Sequence, residues 1–144
     1  MEESLNRKIK NRFELNDVDI RTYSPLTLAF IGDDVFDIVI RSLVVNKGNT
    51  SPGNLQKYCS SIVKASTQSE MAEILQDVFT EEEQDIYRRG RNAKSKTTAK
   101  NATVSDYRSA TGFEAVMGYL YLTEQADRIL ELIQIGLERL NISI

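Results

Sequence analysis

Two apolar stretches of this chain carry carboxylates that a plain core helix has no use for. Leu26 to Val45 reads LTLAFIGDDVFDIVIRSLVV and holds Asp33, Asp34 and Asp37, with no basic residue between Arg21 and Arg41. Ser109 to Leu122 reads SATGFEAVMGYLYL and holds Glu114 as its only charged residue. Burying a carboxylate without a partner costs on the order of several kcal/mol. A buried ion pair or a hard cation offsets that cost. With no basic residue nearby in sequence, a divalent metal is the sharper reading. Asp33 and Asp37 lie four apart and share a helix face, with Ala29 one turn earlier. Asp34 points about 100° away. If the Glu114 helix lies against this one, two or three carboxylates meet. Ala110, Gly112, Ala115 and Gly118 are small enough to permit a close approach. Carboxylates brought together repel unless a cation neutralises them. Mg2+ prefers octahedral oxygen ligands and keeps several waters, so two carboxylates plus phosphate oxygens suffice. Such a site activates water for phosphodiester hydrolysis. The plainer reading makes each acid an exposed or ion-paired residue.

Composition narrows the chemistry further. The 144 residues include no histidine. That removes Ser-His-Asp and Cys-His nucleophiles and histidine as a general base. With one cysteine, Cys59, it also makes a zinc site improbable and excludes an internal disulfide, which fits a reducing cytoplasm. Apolar content of 41% and charged content of 27% describe a soluble globular chain, long enough for one domain with a real core. No stretch offers about 18 uncharged apolar residues, so no membrane span is expected. The start, MEESLNRKIKNRF, is charged and lacks the apolar core of a secretion signal.

The net charge of −3 hides an asymmetry. Residues 88–100, RRGRNAKSKTTAK, carry Arg88, Arg89, Arg91, Lys94, Lys96 and Lys100 and no acid. That leaves 12 basic against 21 acidic residues elsewhere, a net of −9. An acidic body with one basic segment suggests a localised polyanion contact; the plainer reading is a solvated loop. Arginine and lysine there would contact phosphates without reading bases, with Asn92, Ser95 and Thr97 adding neutral hydrogen bonds.

Helical signals organise the rest. Ser24-Pro25 opens a helix that is apolar on nearly all sides, expected to be central and buried and to end near Asn46-Lys47-Gly48. Ser51-Pro52 opens another, with Leu55, Tyr58, Cys59, Ile62 and Val63 at helical spacing. Met71, Ile74, Leu75 and Val78 mark a third. Thr80-Glu81-Glu82-Glu83 is a capping box for a short helix that stops near Gly90. Residues 91–102 read as a loop. Helices from about Val104 to Leu122 and from about Thr123 to Leu140 complete the chain. No alternating β-branched run is long enough for a sheet. Phe30, Ile31 and Phe36 are candidates for a surface shared between subunits.

These segments together resemble a known family. Leu28-Ala29-Phe30-Ile31-Gly32-Asp33-Asp34-Val35-Phe36-Asp37 resembles the signature helix of the ribonuclease III family, and Phe113-Glu114-Ala115-Val116-Met117-Gly118 its second catalytic helix. Arg88-Arg89-Gly90-Arg91-Asn92-Ala93-Lys94 looks like the mark of one branch, Mini-ribonuclease III. Three motifs in order, across residues 22–140, are far more specific than any one alone. The resemblance implies an all-α endonuclease-domain fold, dimeric. It spans residues 1–144 as a single domain, with 1–20 a flexible or loosely packed lead-in. It implies that Asp33 and Glu114 are catalytic and bind Mg2+, and that Arg88, Arg89, Arg91, Asn92, Lys94 and Lys96 contact RNA. Asp37 matches a family acid, its role open between support of the site and pairing with an arginine. Ala29 and Thr111 stand where full-length members have a glutamate and an aspartate; the branch is similar in keeping only the reduced pair. The implied activity is a homodimeric, cytoplasmic endoribonuclease. It cuts both strands of double-stranded RNA to leave 5′-phosphate and 3′-hydroxyl ends. The implied substrate is the stem of the 23S ribosomal RNA precursor, with a large-subunit ribosomal protein as a further partner. The competing reading is a non-catalytic RNA-binding protein of the same fold, against which the intact Asp33 and Glu114 argue. A helical scaffold with no nucleic acid would leave the acids and the basic segment unexplained.

Overall fold

The structure, a computed structural model, describes residues 3–93 and 103–144. Among them every regular element is helical, as expected. They are α1 (Leu5–Arg12), a 3-10 turn (Ile20–Thr22), α2 (Pro25–Lys47), α3 (Pro52–Val63), α4 (Ala65–Ile74), α5 (Glu81–Asn92), α6 (Val104–Leu122) and α7 (Ala126–Arg139). Local chemistry sets most of the boundaries. The Ser24 and Ser51 hydroxyls accept from the backbone N–H groups of Thr27 and Asn54, each with proline at the first helical position. Thr80 and Glu83 form the full reciprocal capping box. Gly48 closes α2 at φ +155°, a backbone conformation that side-chain-bearing residues rarely adopt.

Three boundaries differ from the sequence expectation. Helix α4 stops at Ile74, where Leu75 caps it, so Val78 lies beyond it. Helix α7 starts at Ala126, because Glu124 takes φ +60° and the Thr123 hydroxyl bonds back to Tyr119 O at 2.7 Å to close α6. Helix α5 runs through Gly90 to Asn92, so Arg91 and Asn92 are helical. Gly90 is a packing glycine: a Cβ there would sit 2.9 Å from the Gly112 Cα. The N-terminal segment forms α1, which buries no residue and is held to the body by polar contacts. Asn6 Nδ2 donates to Leu122 O at 3.5 Å, and Arg7 pairs with Glu124 at 3.4 Å.

The central helix is α6, not α2. From Ser109 to Leu120 every residue of α6 except Glu114 is buried, and α2, α4 and α5 pack around it. Helix α2 keeps an open face, on which Phe30 is 79% and Ile38 60% exposed. An apolar surface on all sides of α2 therefore does not mean that all sides are covered. Phe36, expected on a shared surface, lies wholly in the core, edge-on to Phe113 at a 5.2 Å centroid distance.

Two glycines bring α2 and α6 together backbone to backbone. A Cβ on Gly32 would lie 1.7 Å from Glu114 O, and one on Gly118 1.9 Å from Leu28 O. Gly112, also expected at this contact, faces α5 instead, where a Cβ would meet Tyr87 at 2.7 Å. At the far end of the core, Arg128 clamps buried Glu83. Its Nη2 reaches Glu83 Oε1 at 2.7 Å and Val78 O at 2.8 Å. Burial pushes the Glu83 carboxyl up, but hydrogen bonds from Arg128 and the Thr80 backbone outweigh it and hold the group below the ordinary glutamate value.

Candidate active site

The Gly32 contact decides which acids meet. It sets the backbone of α2 against the carbonyl of Glu114, and the next residue, Asp33, turns its carboxylate onto the Glu114 side chain in a direct hydrogen bond. Two carboxyls can bond only if one keeps a proton. Burial, then the hydrogen bond and charge of Asp33, push the Glu114 carboxyl up to about 9, while the Gln68 amide pulls the other way. Without a cation Glu114 is therefore neutral at pH 7. Asp33 is exposed and Glu114 partly buried, so the pair opens to solvent.

The other acids of α2 stand apart. Asp37 is ion-paired with Arg41 at 3.2 Å, one turn along its own helix, and Asp34 is exposed. The expectation that these acids are buried without a basic partner is corrected on both counts: α2 has an open face, and Arg41 reaches back to Asp37. At the two positions flanking the pair, Ala29 is buried and the Thr111 hydroxyl donates to Tyr107 O at 3.0 Å. Among the described residues no group of three or more His, Cys, Asp or Glu side chains is placed to hold a metal ion. The donor set is thus two carboxyls that share a proton and would repel each other if both were ionised without a cation. That set fits Mg2+, which completes its shell with water and phosphate oxygen.

The basic residues begin on the last turn of α5. Gly90 packs on Gly112 and Ala115, so this turn lies against the stretch of α6 that carries Glu114. Arg88 pairs with Asp85, Arg89 and Asn92 are exposed, and the Arg91 guanidinium sits 5.8 Å from the Tyr87 ring centre. Lys94 and Lys96 lie outside the described residues, as do Ser95 and Thr97.

The ribonuclease III domain family matches residues 26–125, from the first turn of α2 past the end of α6. A Mini-ribonuclease 3 from Thermoanaerobacter sp. is 41% identical over 96% of this chain and 97% of its own length. One from Enterococcus faecalis is 46% identical over 80% of this chain and 89% of its own. The chain belongs to the Mini-ribonuclease 3 branch of the ribonuclease III family. It is an endoribonuclease. A crystal structure of a Fusobacterium nucleatum protein has the same fold. It is 34% identical, with a TM-score of 0.77, and the match covers 85% of this chain and 99% of that one. Within the Mini-ribonuclease 3 match, Asp33 and Glu114, 81 positions apart in sequence, are brought together by α2 and α6.

One residue of this site escapes a reading of the sequence. Gln68, on α4, is 2% exposed and faces Glu114. A signal for it existed: Gln68 shares the helix face of Met71, Ala72 and Leu75, a place where a polar side chain needs a reason. No helix among the described residues is long and apolar enough to cross a membrane.

Proposed function

We propose that this endoribonuclease cuts double-stranded RNA by Mg2+-assisted phosphodiester hydrolysis, with Asp33 and Glu114 as the catalytic pair that holds the metal. The observation that carries this is the contact of the two carboxyls, Asp33 exposed and Glu114 partly buried, with neither paired to a basic side chain among the described residues. When bound, the cation supplies a nucleophilic water at neutral pH and charge neutralisation on the scissile phosphate. Glu114 would hold the ion as a carboxylate, its proton released to solvent. Asp33, at the open edge of the pair, faces the side from which a phosphate arrives. Arg89 and Arg91, with Arg88, Asn92, Lys94 and Lys96, hold the flanking phosphates. A-form RNA hides its base edges in a deep major groove, so phosphate and ribose contacts are what such a surface can use.

The substrate we infer is the paired-end stem of the 23S ribosomal RNA precursor, met in the cytoplasm with a large-subunit ribosomal protein as a further partner; branch membership supports this. A homodimer places one acid pair at each strand. Exposed Phe30 and Leu26, on the helix that carries Asp33, support that arrangement. The test is incubation of the purified chain with a duplex RNA in Mg2+, with and without EDTA, alongside Asp33→Asn and Glu114→Gln. Each substitution keeps shape and removes the metal-holding charge, so cleavage should vanish while the duplex is still shifted in a gel. Cleavage within a few fold of the parent in either variant would sink the assignment. A precursor stem cut no better than an unrelated duplex would remove the ribosomal substrate.

A further inference from the structure

Gln68 holds an unfinished hydrogen-bond account. Its Nε2 donates to Val63 O at 2.8 Å, which ties α4 to the last turn of α3. Its Oε1 is buried and has no partner, the one such side-chain nitrogen or oxygen among the described residues. An orphaned buried acceptor is destabilising, and leucine or methionine at the same place would avoid it. Val63 O and the Glu114 carboxyl together account for the nitrogen and leave the oxygen unexplained.

The surroundings limit what can complete it. The amide lies against Glu114, and among the described residues no protein donor reaches its oxygen. A water in the hydration shell of a divalent cation is a strong donor, and Mg2+ held by only two carboxylates keeps several such waters. We propose that Gln68 is a positioning residue of the acid pair. Its Oε1 accepts a hydrogen bond from a water of the cation held by Asp33 and Glu114, while the Val63 bond fixes the amide's orientation. This rests on the reading of Asp33 and Glu114 as the cation-holding pair. Outer partners of this kind typically change metal affinity by about 10–100-fold.

The test measures Mn2+ binding to the RNA-free protein by calorimetry, for the parent, Gln68→Leu, Gln68→Glu and Asp33→Asn. Gln68→Leu should weaken Mn2+ at least tenfold. Gln68→Glu keeps an oxygen there and adds a negative charge, so it should bind Mn2+ at least as tightly as the parent. Both should bind duplex RNA as the parent does when no divalent ion is present. An amide that merely ties α4 to α3 predicts something else: both variants melt at lower temperature and keep the parent's Mn2+ affinity. That result overturns the proposal. Wild-type protein gives a check that needs no variant to fold. The Gln68 side-chain amide resonance should move on titration with Mg2+, and a fixed resonance overturns the proposal. If Asp33→Asn keeps the parent's affinity, the acid pair is not the cation site, and both readings fall together.

Discussion

Glu114 makes the stability of the metal-free protein depend on pH in an unusual direction. Its carboxyl titrates near 4.5 when free and is pushed up to about 9 here, by burial first and then by Asp33. Below about 4.5 both folded and unfolded chains hold the proton. Between the two values only the folded chain holds it, so unfolding releases a proton and stability falls as pH rises through about 9. Urea unfolding in EDTA between pH 5 and 9 should show this loss, and Glu114→Gln should flatten it. Equal pH slopes for the two proteins would mean that Glu114 is ionised in the fold. Cation loading must displace the same proton, so the apparent Mg2+ affinity should rise by up to about tenfold per pH unit below the Glu114 value. Cleavage assays at fixed pH with Mg2+ varied read that directly.

At the scale of elements, the α2–α6 contact and the Glu83–Arg128 clamp carry different loads. Gly118→Ala forces a Cβ to within 1.9 Å of a backbone oxygen, which no side-chain rotation relieves. Overpacking typically costs about 1–3 kcal/mol, and a clash with main chain lies at or beyond the upper end. The variant should melt far below the parent and lose cleavage even where it stays folded, since α2 and α6 must separate. Gly53→Ala, with nothing within 4 Å of the new Cβ, is the matched control and should be neutral or slightly stabilising. Arg128→Met leaves the Glu83 carboxylate buried without its partner and should cost about 3 kcal/mol, the lower end for a broken buried pair because Arg128 is itself partly exposed. Helix starts were legible in the sequence because Ser24-Pro25, Ser51-Pro52 and Thr80 to Glu83 act through neighbours a few residues away. Asp33 and Glu114 were legible because each interrupts an apolar run. What failed depends on distant chain. Gly90 looks like a helix stop until Gly112 is seen beside it, and Gly112 looks like a seat for α2 until Tyr87 is. Phe30 and Phe36 lie on one helix with similar chemistry, and only the packing of α6 decides which is buried.

For the whole molecule, the decisive quantity is the mismatch between an acidic body and an acidic polymer. Outside residues 88–100 the chain sums to −9, so a duplex is repelled except along one segment. Replacing Arg88, Arg89, Arg91 and Lys94 with alanine should weaken duplex binding and flatten its salt dependence by about one unit of slope per lost phosphate contact. Arg88 already has Asp85 as a partner, so its single alanine variant should change the slope least. Unchanged affinity and slope in the quadruple variant would place RNA on another face. Light scattering at working concentration should show twice 16.3 kDa, and an active monomer would refute the shared-duplex arrangement. The glycine seam between α2 and α6 has a last consequence for how the enzyme fails. The two acids are registered by peptide against peptide, with no rotamer in between, so local breathing cannot part them while the helices stay packed. Amide protons of residues 28–36 and 112–120 should then exchange with deuterium only when the entire chain opens, at the free energy that denaturant reports. Heated slowly, the enzyme should lose catalysis and fold in one transition, with no folded but inactive stage before it.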